Sequence, residues 1–203
     1  NLTLALKQNL SEQITQNKIS AFNSVGELLS YEDIDKYPAI QQTINEIILS
    51  AQKDFTPEKI DENQLNITQD NSPAAFKKYM AAVSQIIKSA TPLNKNFSTE
   101  AEMILNSFET GNFEEMKIAK IHYQEVYRKI RHLEVPIPND FMPIHKEILE
   151  IFSTIEKVYG ALQNSTEDPL KANLAIYFYQ EANNRFLKCL ENFSIYLSQH
   201  PEY

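Results

Sequence analysis

A single cysteine, Cys189, excludes an internal disulfide and any site built from several thiolates. Buried in a helix, it behaves as a small apolar residue rather than a nucleophile. Only 3 glycines occur in 203 residues, so there are few places for tight turns or for loops that cradle a phosphate. Tryptophan is absent, and no apolar run approaches the 18 or so residues that a membrane-spanning helix requires. Positive charge is in short supply as well. The formal charge of −8 argues against a nucleic-acid backbone or an anionic membrane surface as partner, because both reward clustered Lys and Arg.

The usual signatures of site chemistry are missing too. There is no HExxH, P-loop, GxGxxG or GxSxG, and no Glu is followed by His three residues later. A di-iron bundle needs that last pair on two helices, so that both ligands project inward from one face. His122 and Glu125 form only the reversed pair, which reads as an exposed helix contact. The sequence therefore offers no catalytic, cofactor-binding or metal-ligating set.

What is present is helical. Apolar residues recur every three or four positions in successive segments: Leu6 to Leu28, Ile40 to Ala51, Phe76 to Ala90, Ala101 to Phe108, Met116 to Leu133, Ile144 to Leu162 and Ala175 to Leu197. Thr56-Pro57, Ser72-Pro73 and Asp168-Pro169 each read as a helix start, with a polar cap followed by a proline whose missing N–H costs nothing in the first turn. Thr99 and Glu102 form a capping box. Gly111-Asn112 reads as a helix stop that re-phases the stripe. In "VPIPNDFMPIHKE", Pro136 and Pro138 force the preceding residues out of helical angles. Asn139 or Asp140 is placed to cap the helix that follows, with Pro143 in its first turn. The expected architecture is an all-α antiparallel bundle in a single domain, with 1–54 as an N-terminal helical arm, 55–71 as a loop-rich connection and 72–199 as the bundle.

Two features stand out as candidate sites. His145 lies beside the Ile144–Ile148–Phe152 stripe, where it reads as a half-buried structural histidine bonded to a linker carbonyl, or as a group that orients a ligand. The run "LAIYFY" leaves Leu174, Ile176, Tyr177, Phe178 and Tyr179 without a polar face, so this part of the last helix is either core or partner surface. An N-terminal helix is expected to cover it, with the stripes Ile40–Ile48 or Phe76–Ile87 as candidates. His122 and His132 sit in a basic stretch with Lys117, Lys120, Arg128, Lys129 and Arg131, read as a solvated face able to dock an acidic partner.

The segments "LNITQDNSPAAFKKY" (65–79), "TGN" (110–112), "VPIPNDFMPIHKEIL" (135–149) and "DPLKANLAIYFYQ" (168–180), in that order, resemble a group of helical proteins from the ultrasmall bacteria of the candidate phyla radiation. The matching positions are Val135, Pro136, His145, Asp168 and Pro169. No activity is assigned within that group, so the resemblance gives these residues no role. It implies a helical portion outside the cytoplasmic membrane, tethered by a hydrophobic segment upstream of Asn1. The expectation is a non-enzymatic extracytoplasmic scaffold or adaptor in a cell-envelope assembly, with an unknown protein partner, no cofactor and no nucleic acid. The alternative is a bundle that encloses an apolar small molecule among its Tyr and Phe side chains, oriented by His145 or a Tyr hydroxyl. An enzyme assembled from scattered Glu, His and Tyr is a third reading.

Overall fold

The computed structural model describes residues 42, 46, 49, 50, 52–89, 97 and 99–199. The expected helix of Leu6 to Leu28 and most of the Ile40 to Ala51 stripe lie outside the described residues. The fold is an all-α bundle, and the elements that can be bounded among the described residues are α1 (Pro73–Lys88), α2 (Glu100–Thr110), α3 (Glu114–Arg131), α4 (Met142–Leu162) and α5 (Pro169–Gln199).

The helix boundaries follow from local chemistry. Ser72 Oγ accepts from the Ala75 N–H at 3.3 Å, with Pro73 in the first turn of α1. Thr99 Oγ1 caps α2 through the Glu102 N–H at 3.1 Å, and Asp168 Oδ1 caps α5 through the Lys171 N–H at 3.3 Å. Gly111 stands at φ 69°, the left-handed conformation that closes α2 and turns the chain into α3. α3 ends at Arg131, just ahead of the two prolines.

Two expected caps are corrected. Thr56-Pro57 does not start a helix: residues 52–55 are helical and stop there, with the Thr56 N–H and Oγ1 both donating to the Gln52 carbonyl at 3.0 Å. Pro57 disfavours helical angles at the residue before it, so the dipeptide acts as a stop. Neither Asn139 nor Asp140 caps α4 with its side chain. Residues Asn139–Phe141 instead form a 3-10 turn that winds directly into the helix, and Pro143 removes one of the N–H groups that a cap would have served.

α4 occupies the centre, packed against α3 on one side and α5 on the other. Thirteen of its 21 residues are buried, among them Leu149, Ile151, Phe152, Val158 and Leu162. Each such side chain contributes roughly 1.5–3 kcal/mol of burial. The connection ahead of α1 runs over this bundle as a strap. Its apolar anchors Phe55, Ile60 and Leu65 are buried, and its charged residues pair along the way. Asp54 meets Lys171 of α5 at 2.5 Å, Glu58 meets Arg131 of α3 at 3.1 Å, and Glu62 meets Lys146 of α4 at 2.7 Å. The strap then forms β1 (Ile67–Thr68), which pairs in parallel with β2 (Ile137–Pro138), Ile67 opposite Ile137. The Ile137 N–H donates to the Asn66 carbonyl at 2.7 Å, and Asn66 Nδ2 donates to the Glu134 carbonyl at 2.8 Å. Among the described residues no helix is long and apolar enough to cross a membrane.

The two described glycines make opposite demands. A Cβ at Gly111 meets nothing within 4 Å, so Gly111→Ala is expected to cost about 1 kcal/mol through the positive φ alone. A Cβ at Gly160, inside α4, meets only the flexible end of Lys120 at 3.5 Å. Gly160→Ala is expected to stabilise the protein by about 0.5–1 kcal/mol. Urea unfolding of the two variants checks both signs.

Candidate functional site

The polar centre of the bundle lies where three tyrosines meet one carboxylate. Glu100 is the first residue of α2, delivered there by the Thr99 cap. Tyr123 of α3 donates to Glu100 Oε1, while Tyr159 of α4 and Tyr179 of α5 donate to Oε2 at 3.0 and 2.5 Å. The rings of Tyr123 and Tyr159 stack at 5.4 Å with an interplanar angle of 9°, and Tyr179 meets Tyr159 edge to face at 6.1 Å. Burial first, and the neighbouring carboxylate second, push all three phenols well above their usual titration range. They stay protonated and act as donors. Four helices are thus joined through one side chain, whose two oxygens are already engaged.

His145 lies deeper. It is fully buried, and its Nδ1 is 3.2 Å from the Tyr79 hydroxyl of α1. The expected linker carbonyl is not its partner. The hydroxyl occupies that place because α1, packed on α3 and β2, brings Tyr79 onto the ring. Its Nε2 is buried with no hydrogen-bond partner among the described residues, and burial lowers the imidazole pKa to about 4. Tyr79 is itself shifted upward by burial and then by Cys189. The Cys189 thiol is raised by burial and then by Glu147, which keeps it protonated. The pair therefore consists of a neutral imidazole and a neutral phenol.

The "LAIYFY" run divides between core and surface. Phe178 stacks on Phe55 of the strap at 4.7 Å, so a residue ahead of α1 covers part of this stretch, while the expected Ile40–Ile48 stripe lies outside the described residues. Tyr179 faces Glu100, Leu174 and Ile176 are half-buried against the core, and Tyr177 is 58% exposed. Tyr177 and Phe178 also line an open groove of about 330 Å³ with Pro57, Thr154, Glu181 and Arg185. Arg185 is held by Glu147 at 2.9 Å and Glu150 at 2.8 Å. Further along the bundle the aromatic side chains contact one another, Phe76 tilted on Phe141 at 4.5 Å and Phe141 edge to face with Tyr196 at 4.9 Å.

The basic stretch of α3 is not a free positive face. Glu125 takes both Arg128, at 2.8 Å, and Lys129, at 3.6 Å, and the hydrogen bond from Arg128 draws its carboxyl pKa down to about 2. Arg131 turns back to Glu58, Gln64 and Tyr127. His122 is half-buried with Nε2 enclosed, contrary to its expected solvation, whereas His132 is exposed at the end of the helix. Among the described residues no group of three His, Cys, Asp or Glu is placed to hold a metal ion.

Glu100 is the residue that sequence reasoning missed. The available signal was a tyrosine in three separate apolar stripes, since a buried phenol needs an acceptor. Comparison with protein-family models, with curated proteins and with solved structures finds no match to this chain.

Glu100→Ala strands the Tyr123 and Tyr159 hydroxyls in a buried site and is expected to cost about 2–4 kcal/mol. Tyr179→Phe removes one donor of three and is expected to cost about 0.5–1.5 kcal/mol. Chemical denaturation of both variants checks the ordering.

Proposed function

We propose that the protein is a non-enzymatic helical scaffold or adaptor that binds a protein partner in a cell-envelope assembly, outside the cytoplasm. The observation that carries this reading is the contrast between inner and outer surfaces. Tyr123, Tyr159 and Tyr179 are turned inward onto Glu100 and His145 onto Tyr79, while large apolar side chains face outward. On α3, Ile118 is 52% exposed and Ile121 59% exposed, one turn apart on the face away from Met116, Tyr123 and Ile130. α2 adds Leu105 at 60% exposure. Large apolar residues left on the outer faces of helices suit a surface that meets other proteins. The extracytoplasmic location rests on the resemblance described above.

A photo-reactive residue at position 121, in cells carrying the native envelope, tests the reading, with position 77 on the exposed side of α1 as control. The expected result is a discrete cross-linked protein at 121 and none at 77. Ile118→Glu is expected to weaken that product about tenfold or more while leaving the melting temperature unchanged. Equal labelling at both positions, or no effect of the substitution, would overturn it.

A further inference from the structure

α1 buries three side chains along its 16 residues, Phe76, Tyr79 and Val83, against thirteen of 21 for the central helix α4. Yet what it covers is extensive. Phe76 lies on Phe141 at 4.5 Å and Phe193 at 5.7 Å, and Phe141 continues the cluster to Tyr196. At the middle of this contact, Tyr79 closes over His145, which has one nitrogen at the hydroxyl and the other sealed without an acceptor. An element with few buried contacts is the natural unit of local opening.

The two ring nitrogens respond differently to a proton. At Nδ1 an imidazolium can donate to the Tyr79 oxygen, because a phenol both donates and accepts. At Nε2 the imidazolium holds an N–H that meets no acceptor, and its positive charge is cut off from solvent. Charged neighbours do not relieve it. From α1 the ring faces Tyr79, and from α5 Cys189 lies close to that hydroxyl; both are neutral in acid. On its own helix Lys146 is paired with Glu62, and Glu147 with Arg185. No charged side chain of any described element shifts the ring's titration, which burial alone governs.

We propose that α1 is an acid-released cover: protonation of His145 favours a state in which α1 has lifted from α3, β2 and the start of α4, baring the Phe141–Phe193–Tyr196 cluster while the α3–α4–α5 bundle persists. The sign follows from linkage. The imidazole pKa is about 4 when covered and 6.5 when solvated, so the open state binds the proton more tightly. Closure is fully favoured above pH 6.5 and is lost progressively as pH falls from 6.5 toward 4. Opening is thereby favoured about thirtyfold at pH 5 relative to pH 7.5, and about 300-fold in the limit below pH 4. Asp70, at the approach to α1, is held below its usual value by the Ser72 N–H, so it titrates beneath this window.

Hydrogen exchange on the full chain tests the proposal, with rates corrected for the intrinsic effect of pH. Amides of residues 76–88 are expected to exchange about thirtyfold faster at pH 5 than at pH 7.5, while those of 148–162 keep their protection. Simultaneous loss of protection in both segments, or no change in either, would overturn the proposal. His145→Gln is expected to abolish the acid response; if that variant fails to fold, Tyr79→Phe decides, since it retains the imidazole and should open more at every pH while keeping the same dependence. An acid response that persists in His145→Gln, or vanishes in Tyr79→Phe, would also overturn it. In the wild-type protein the His145 ring protons are expected to hold their chemical shift down to about pH 5, and a titration near 6.5 with α1 still protected excludes the mechanism.

Discussion

A helix that buries thirteen of 21 side chains cannot remain at a surface, and the fold follows from enclosing α4. One neighbour covers roughly a third of a helix circumference, so α4 needs several. α3 and α5 take two sides, while the 3-10 turn, β2 and the contact from α1 close over its first turns. Pro136 and Pro138 are essential to this arrangement because they stop the chain before α4 and reverse it with few residues. The polar groups caught inside are then constrained in turn. A phenol or imidazole on α4 must find its partner on whichever helix lies opposite, which is how Tyr159 meets Glu100 and His145 meets Tyr79.

Much of this was legible because it is local. Ser72, Thr99, Asp168 and Gly111 act within four residues of themselves, and each has the role that its neighbours imply. The apolar periods of α1 to α5 likewise survive into the structure, since burial acts on faces that a sequence displays. Thr56-Pro57 was ambiguous for a physical reason. A polar residue before proline can open a helix or close one, and only the preceding turn, with its Gln52 carbonyl awaiting a donor, decides between them.

The candidate site was legible only in part, because it is assembled from a distance. Glu100 is 23, 59 and 79 positions from the tyrosines that bind it, and nothing near any of them in the chain signals the others. His145 was conspicuous beside its apolar stripe, yet its partner lies 66 residues away on a helix whose placement no period specifies. The basic stretch of α3 misled for the same reason. Its charge density is real, but Glu58 arrives from the strap to meet Arg131, and that approach is a matter of tertiary structure.

The strap also sets an order on the making of the protein. Synthesis runs from the N-terminus, so Phe55, Ile67 and Phe76 leave the ribosome well before the residues that receive them, Phe178, Ile137, Phe141 and Phe193. At about 5–20 residues per second, the 123 positions from Phe55 to Phe178 take several seconds or more to produce. Throughout that interval the first quarter of the described chain carries apolar side chains without their cover, and a strand whose pairing edge has not yet been made. The stretch that ends as the outer wrapping of the bundle therefore waits, open to chaperones, proteases and neighbouring nascent chains, until its cover is made.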